Sequence, residues 1–165
     1  MKRSFTFNLS LFVILVCCLT SNPGYGQANK AVYAELGGPG IASFNFDTRF
    51  SNEVDGFGGK IGVGGFKIID DVGAVLFPIA LNYLFGKDDR RFFEVGAGAT
   101  LVSIGDKKDK DDDDDPFTNT FGHLHFGYRL QPADGGFNFR AGITPVFGDG
   151  YFIPYYFSLS FGYTF

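Results

Sequence analysis

The feature that most constrains this chain is a strict two-residue alternation, cleanest near its end. Tyr155, Phe157, Leu159, Phe161, Tyr163 and Phe165 share one parity, and Ser158, Ser160, Gly162 and Thr164 the other. A period of two places successive side chains on opposite faces of a strand. The pattern recurs upstream. Phe137, Phe139, Ala141, Ile143 and Phe147 oppose Asn138, Arg140, Gly142 and Thr144. Leu124, Phe126, Tyr128 and Leu130 oppose His123, His125, Gly127, Arg129 and Gln131. Phe93, Val95, Ala97, Ala99 and Leu101 oppose Glu94, Gly96, Gly98 and Thr100. Ile61 and Val63 oppose Lys60, Gly62 and Gly64, and Phe44, Phe46 and Phe50 oppose Ser43, Asn45, Asp47 and Arg49. In the more uniformly apolar stretch 72–85, Pro78 argues against a helix. A strand with Val75, Phe77, Ile79, Leu81, Tyr83 and Phe85 on one face fits better.

Turn-forming clusters divide these runs at 51–56, 70–73, 87–90, 105–116, 133–136 and 148–150. Alternating segments of about ten residues separated by turns are the pattern of a transmembrane β-barrel. No apolar run is long enough for a membrane-spanning helix. The 22 Phe, 8 Tyr and 24 Gly rule out a disordered polar chain, and the glycines lack the three-residue period of collagen.

The first 26 residues read as a secretory signal peptide. Met1, Lys2 and Arg3 form a basic start, an apolar stretch runs from Leu9 to Leu19, and small residues precede a cut before Gln27. Both cysteines, Cys17 and Cys18, fall inside that segment. The exported domain, 27–165, therefore has no disulfide framework and must be stabilised by packing, hydrogen bonding or a membrane. The formal charge of −4 gives no support for nucleic-acid binding.

Alternation alone does not say which face meets which solvent. The polar face carries Gly, Ser, Thr and Asn together with charges of both signs: Glu35, Asp47, Arg49, Lys60, Glu94, Arg129 and Arg140. Small residues and near-balanced charges suit the narrow interior of an eight-stranded barrel, so these seven are expected to form a lumenal charge network. An interfacial aromatic girdle at one rim is expected from Phe50, Phe57, Phe85, Phe92, Tyr128, Phe137, Tyr163 and Phe165. An even strand count requires two strands from 31–50, turning at Gly37-Gly38-Pro39-Gly40. The unbroken parity of Val32, Ala34, Leu36, Ala42, Phe44 and Phe46 fits one long strand equally well.

With these residues in view, the chain resembles the small outer-membrane β-barrel proteins of Gram-negative bacteria. Its closing Phe157-Ser-Leu-Ser-Phe-Gly-Tyr-Thr-Phe165 is similar to their C-terminal assembly signal, carried here by Phe161, Tyr163 and Phe165. The stretches Glu35-Leu-Gly-Gly, Asn45-Phe-Asp-Thr-Arg-Phe50, Asn82-Tyr-Leu-Phe-Gly86 and Glu94-Val-Gly-Ala-Gly98 also resemble uncharacterised members. The resemblance implies an eight-stranded antiparallel transmembrane barrel in the outer membrane, surrounded by outer-membrane lipid and inserted by the barrel-assembly machinery.

Chemistry is harder to find. His123 and His125 share a face but have no third metal ligand at a recognisable spacing, so lumenal hydrogen bonding is the expectation. The run 106–115 holds seven Asp and three Lys without the glycine or closing Glu of a calcium loop. It reads as a solvated outer loop, with divalent cations or a surface ligand as possible partners. No nucleophile, catalytic triad, metal set or cofactor motif stands out. The expected role is that of a non-enzymatic barrel without an open pore, acting structurally or through its surface loops. The alternatives are a lipid A-modifying enzyme and a secreted, soluble lipocalin-like binding barrel.

Overall fold

The computed structural model describes residues 30–68, 72–88, 90–105 and 120–165. The signal-peptide expectation for 1–26 and nearly all of the acidic stretch 105–116 lie outside the described residues. The alternating segments form ten strands: β1 (Lys30–Gly37), β2 (Ala42–Arg49), β3 (Gly56–Ile68), β4 (Val72–Asp88), β5 (Arg91–Gly105), β6 (Phe121–Leu130), β7 (Gly136–Ile143), β8 (Val146–Gly148), β9 (Tyr151–Ile153) and β10 (Phe157–Thr164). Consecutive strands β1 to β7 pair antiparallel, and β7 pairs with β10. The seam closes where Ala31 faces Thr164 and Gly37 faces Ser158.

Ten strands make eight staves. β8 continues the pairing of β7 along β6 in unbroken register, with the amide of Leu124 bonded to the carbonyl of Pro145 at 2.9 Å between them. On the other side, Ile143 faces Phe157 whereas Val146 faces Ile153. Two residues thus oppose three, Pro154 to Tyr156, and this bulge splits the final stave into β9 and β10. The turn cluster at 148–150 lies at the tip of a hairpin, whose return strand exposes Tyr151, Phe152 and Ile153.

The ambiguity over 31–50 resolves into two strands. Leu36 faces Ala42, so the connection has an odd number of residues, which preserves the face parity through the turn. Gly37 and Gly38 take left-handed φ values of 72° and 66°, which glycine adopts without steric cost. Gly38, Pro39 and Gly40 form one buried 3₁₀ turn that folds inward over the lumen, near Glu35, Ser43, Ser158 and Pro78. Ile41 follows at φ 62°, ψ −67°, a conformation unusual for a β-branched residue.

One face of every stave points outward and is apolar. Phe44, Phe57, Ile61, Leu81, Phe93, Phe126, Phe137 and Leu159 are all exposed. Rings meet along this surface, as with Phe57 and Tyr83 at 4.7 Å and Phe139 and Phe161 at 5.4 Å. The girdle expectation holds its outward orientation for Phe50, Phe57, Phe85, Tyr128, Phe137 and Tyr163, and fails for Phe92. Phe92 has the parity of Glu94, so it is buried, with its ring against Gly86 near the end that carries the termini.

Candidate functional site

All seven charges singled out from the sequence point inward and are at most 6% exposed. Alternation accounts for this, because each lies on the parity opposite the aromatic face of its strand. Asp47 is the hub. Its Oδ1 accepts from Arg49 Nη2 at 2.8 Å and Arg129 Nη2 at 2.7 Å, and its Oδ2 lies 3.3 Å from Arg140 Nη1. Glu94 supplies a second acceptor, 3.5 Å from Arg129 Nη1 and 3.6 Å from Arg140 Nη1. Glu35 and Lys60 form a separate, longer pair at 3.7 Å, with Ser160 Oγ donating to the same carboxylate at 3.2 Å.

Neutral side chains bind this cluster together; Gln131, Asn138 and Thr164 lie on the polar faces read from the sequence, whereas Asn82 and Tyr33 escaped it. Asn82 donates from Nδ2 to Asp47 at 2.6 Å and to Glu94 at 3.1 Å, while its Oδ1 accepts from Arg49. Arg129 also donates to Gln131, and Asn138 Nδ2 donates to Gln131 Oε1 at 3.3 Å and to Thr164 Oγ1 at 3.1 Å. Tyr33 lies beneath Arg140, whose guanidinium carbon is 3.8 Å from the ring centroid. Parity was the available signal for all of them. Tyr33 alternates with Val32 and Ala34, and Asn82 interrupts an otherwise apolar strand.

Wide side chains fit because glycine faces them. A Cβ at Gly58 would fall on the Arg49 guanidinium and 2.5 Å from the Thr48 carbonyl oxygen. One at Gly127 or Gly142 would lie 2.9 or 3.0 Å from the His125 ring. The two histidines are lumenal, with His125 Nδ1 3.1 Å from Thr144 Oγ1 and His123 Nδ1 3.4 Å from Thr100 Oγ1. Among the described residues, no group of three or more His, Cys, Asp or Glu side chains is arranged to hold a metal ion.

Of the three residues expected to carry the assembly signal, Phe161 and Tyr163 lie outward on β10. Phe165 extends the seam by exchanging backbone hydrogen bonds with Lys30 at 2.8 and 3.1 Å.

The interior is narrow and ionic, as eight staves lined by side chains make it, and the turn at Gly38–Gly40 folds into it near Glu35, Ser43 and Ser158. A closed eight-stranded antiparallel barrel, aromatic outside and charged inside, is the architecture of the small outer-membrane barrels.

Comparison with solved structures gives the same architecture. The N-terminal β-barrel domain of Pseudomonas aeruginosa OprF superposes with a TM-score of 0.58 at 15% identity, covering 85% of this chain and 99% of that one. The Yersinia pestis outer membrane protein Ail, determined in a phospholipid bilayer nanodisc, gives 0.55 at 16% identity, with coverage of 85% and 99%. The outer membrane enzyme PagL aligns at 0.42 with 14% identity, covering 81% of this chain and 97% of that one. The likeness to OprF and Ail is one of fold. No protein-family model matches the chain, and no curated protein matches it.

Proposed function

We propose that this chain is an integral outer-membrane β-barrel, exported through a cleaved signal peptide, with a sealed lumen and a structural or surface-interaction role. One observation carries the reading: the exposed face of every stave is aromatic and aliphatic while the interior is ionic. In water such a molecule would expose far more contiguous apolar surface than soluble proteins tolerate. In a bilayer it matches each face to its solvent. A soluble lipocalin-like barrel has the reverse polarity.

A non-enzymatic role is supported by the placement of the polar groups. His123, His125, Thr100 and Thr144 are buried in the lumen, away from the outer surface where a lipid substrate would lie. The role then rests with the connections at the end opposite the termini, because a rigid scaffold displays its loops. The acidic run 106–115 would present negative charge there to divalent cations or a cationic partner.

The test is recovery of the native protein in carbonate-washed outer membrane, followed by planar-bilayer recording of the purified barrel. Membrane recovery with no stable large conductance is the expected result. Recovery from the soluble fraction overturns the membrane reading, and a steady porin-like conductance overturns the sealed lumen. Deleting 106–115 should leave heat-modifiable folding intact and remove cation-dependent binding. Altered lipid A acylation in a deletion strain would instead establish an enzyme.

A further inference from the structure

The charges of the lumen do not cancel locally. Glu35 and Lys60 form their own pair. Next to it, toward the termini, three guanidiniums, those of Arg49, Arg129 and Arg140, share two carboxylates, Asp47 and Glu94. This cluster therefore carries one positive charge in excess among the described side chains. Buried charge is costly unless it is paired. The Tyr33 ring beneath Arg140 supplies only a partial counter-field.

Hydrogen bonding shows the same imbalance independently. Arg49 Nε, Arg129 Nε, Arg140 Nη2 and Gln131 Nε2 are buried donors without an acceptor among the described residues. Only Glu94 Oε2 is an unused carboxylate oxygen in that cluster. Four unmet donors beside a net positive charge define the complement of an anion.

We propose that this end of the lumen binds one chloride ion, held by Arg49, Arg129 and Gln131 as the counter-charge of the Asp47 cluster. The inference concerns the interior and does not depend on which membrane surrounds the barrel. Chloride then acts as a structural ion, and its binding to the folded state alone raises stability by linkage.

The experiment uses the full folded chain in detergent, exchanged into sodium gluconate and titrated with chloride at constant ionic strength. The thermal unfolding midpoint should rise and saturate with chloride. Arg49→Gln balances the cluster, so its midpoint should no longer respond, whereas Arg91→Gln, a change at the exposed first residue of β5, should keep the full response. Chlorine-35 line broadening by the folded protein, reversed by bromide, provides a second readout. It should be lost in Gln131→Leu, which keeps the test decisive should Arg49→Gln fail to fold. Crystals grown in bromide should show an anomalous peak beside the three side chains. Equal midpoints for the parent protein in chloride and gluconate overturn the proposal. So does a chloride response that survives in Arg49→Gln, or line broadening that survives in Gln131→Leu.

Discussion

Arg140 on β7 stacks over Tyr33 on β1, with 3.8 Å between guanidinium carbon and ring centroid, so the two staves flanking β10 are joined over its inner face. The Tyr33 hydroxyl has no hydrogen-bond partner among the described residues. The ring face therefore carries the interaction. Tyr33→Phe should leave the unfolding midpoint in urea nearly unchanged. Tyr33→Leu should lower stability by about 1–2 kcal/mol, the scale of a desolvated cation–π contact. A larger loss in Tyr33→Phe would mean that the hydroxyl, and not the ring, matters.

Asp47 is ion-paired to three arginines at once, Arg49, Arg129 and Arg140. Asp47→Asn preserves its shape and removes its charge. Arg129 and Arg140 are then left on Glu94 and Arg49 loses its carboxylate, and breaking a buried ionic group of this kind costs about 3–5 kcal/mol. Equilibrium unfolding of the refolded variant in detergent checks this, with Asp88→Asn at an exposed turn as the control.

Ile41 follows the inward turn in a left-handed conformation. Strain of this kind costs roughly 1–3 kcal/mol. Ile41→Gly relieves it but gives up some packing of a side chain that is 36% exposed. A net gain of up to about 1 kcal/mol is expected, read as a higher unfolding midpoint. A marked loss would show that the Ile41 side chain holds the turn in place.

Gly58→Ala should do the opposite. The added methyl meets the Arg49 guanidinium and a backbone carbonyl. Overpacking of this sort costs typically 1–3 kcal/mol, and the same substitution at Gly56, where nothing lies within 4 Å of a Cβ, avoids the clash but meets a φ of 81°. Comparing the two by thermal unfolding separates crowding from backbone conformation.

How much of this was legible in the sequence follows from what a period of two encodes. It sorts every residue to one of two faces, and the small residues and balanced charges of the polar face then marked it as the interior, so the seven lumenal charges could be named. It does not encode register. Asp47 meets Arg129 and Arg140 only because staves far apart in the chain place them at one level of the lumen. The odd-residue turn at Gly37–Ile41 hid a strand boundary, since parity passes through it unchanged. Phe92 was misassigned because its aromatic character was weighed above its parity. The bulge beside Pro154 left no trace in the alternation of the single strands.

Spin labels at Leu159 and Ser160 test the orientation of the two faces. Leu159 is 39% exposed and Ser160 1%. In bilayers, the label at Leu159 should respond to a lipid-soluble relaxant and the label at Ser160 should not. The reverse pattern would invert the barrel.

The seam between β1 and β10 has a consequence in time. Every other stave can pair with a neighbour close in sequence, but β1 acquires its second partner only from Phe157–Thr164. A nascent chain that stops short of this strand can form most of its hairpins, yet it keeps two bare edges and leaves the Asp47 cluster open to water. Unpaired edges invite aggregation. Closing the barrel and shutting water out of the Asp47 cluster therefore both wait on the last strand.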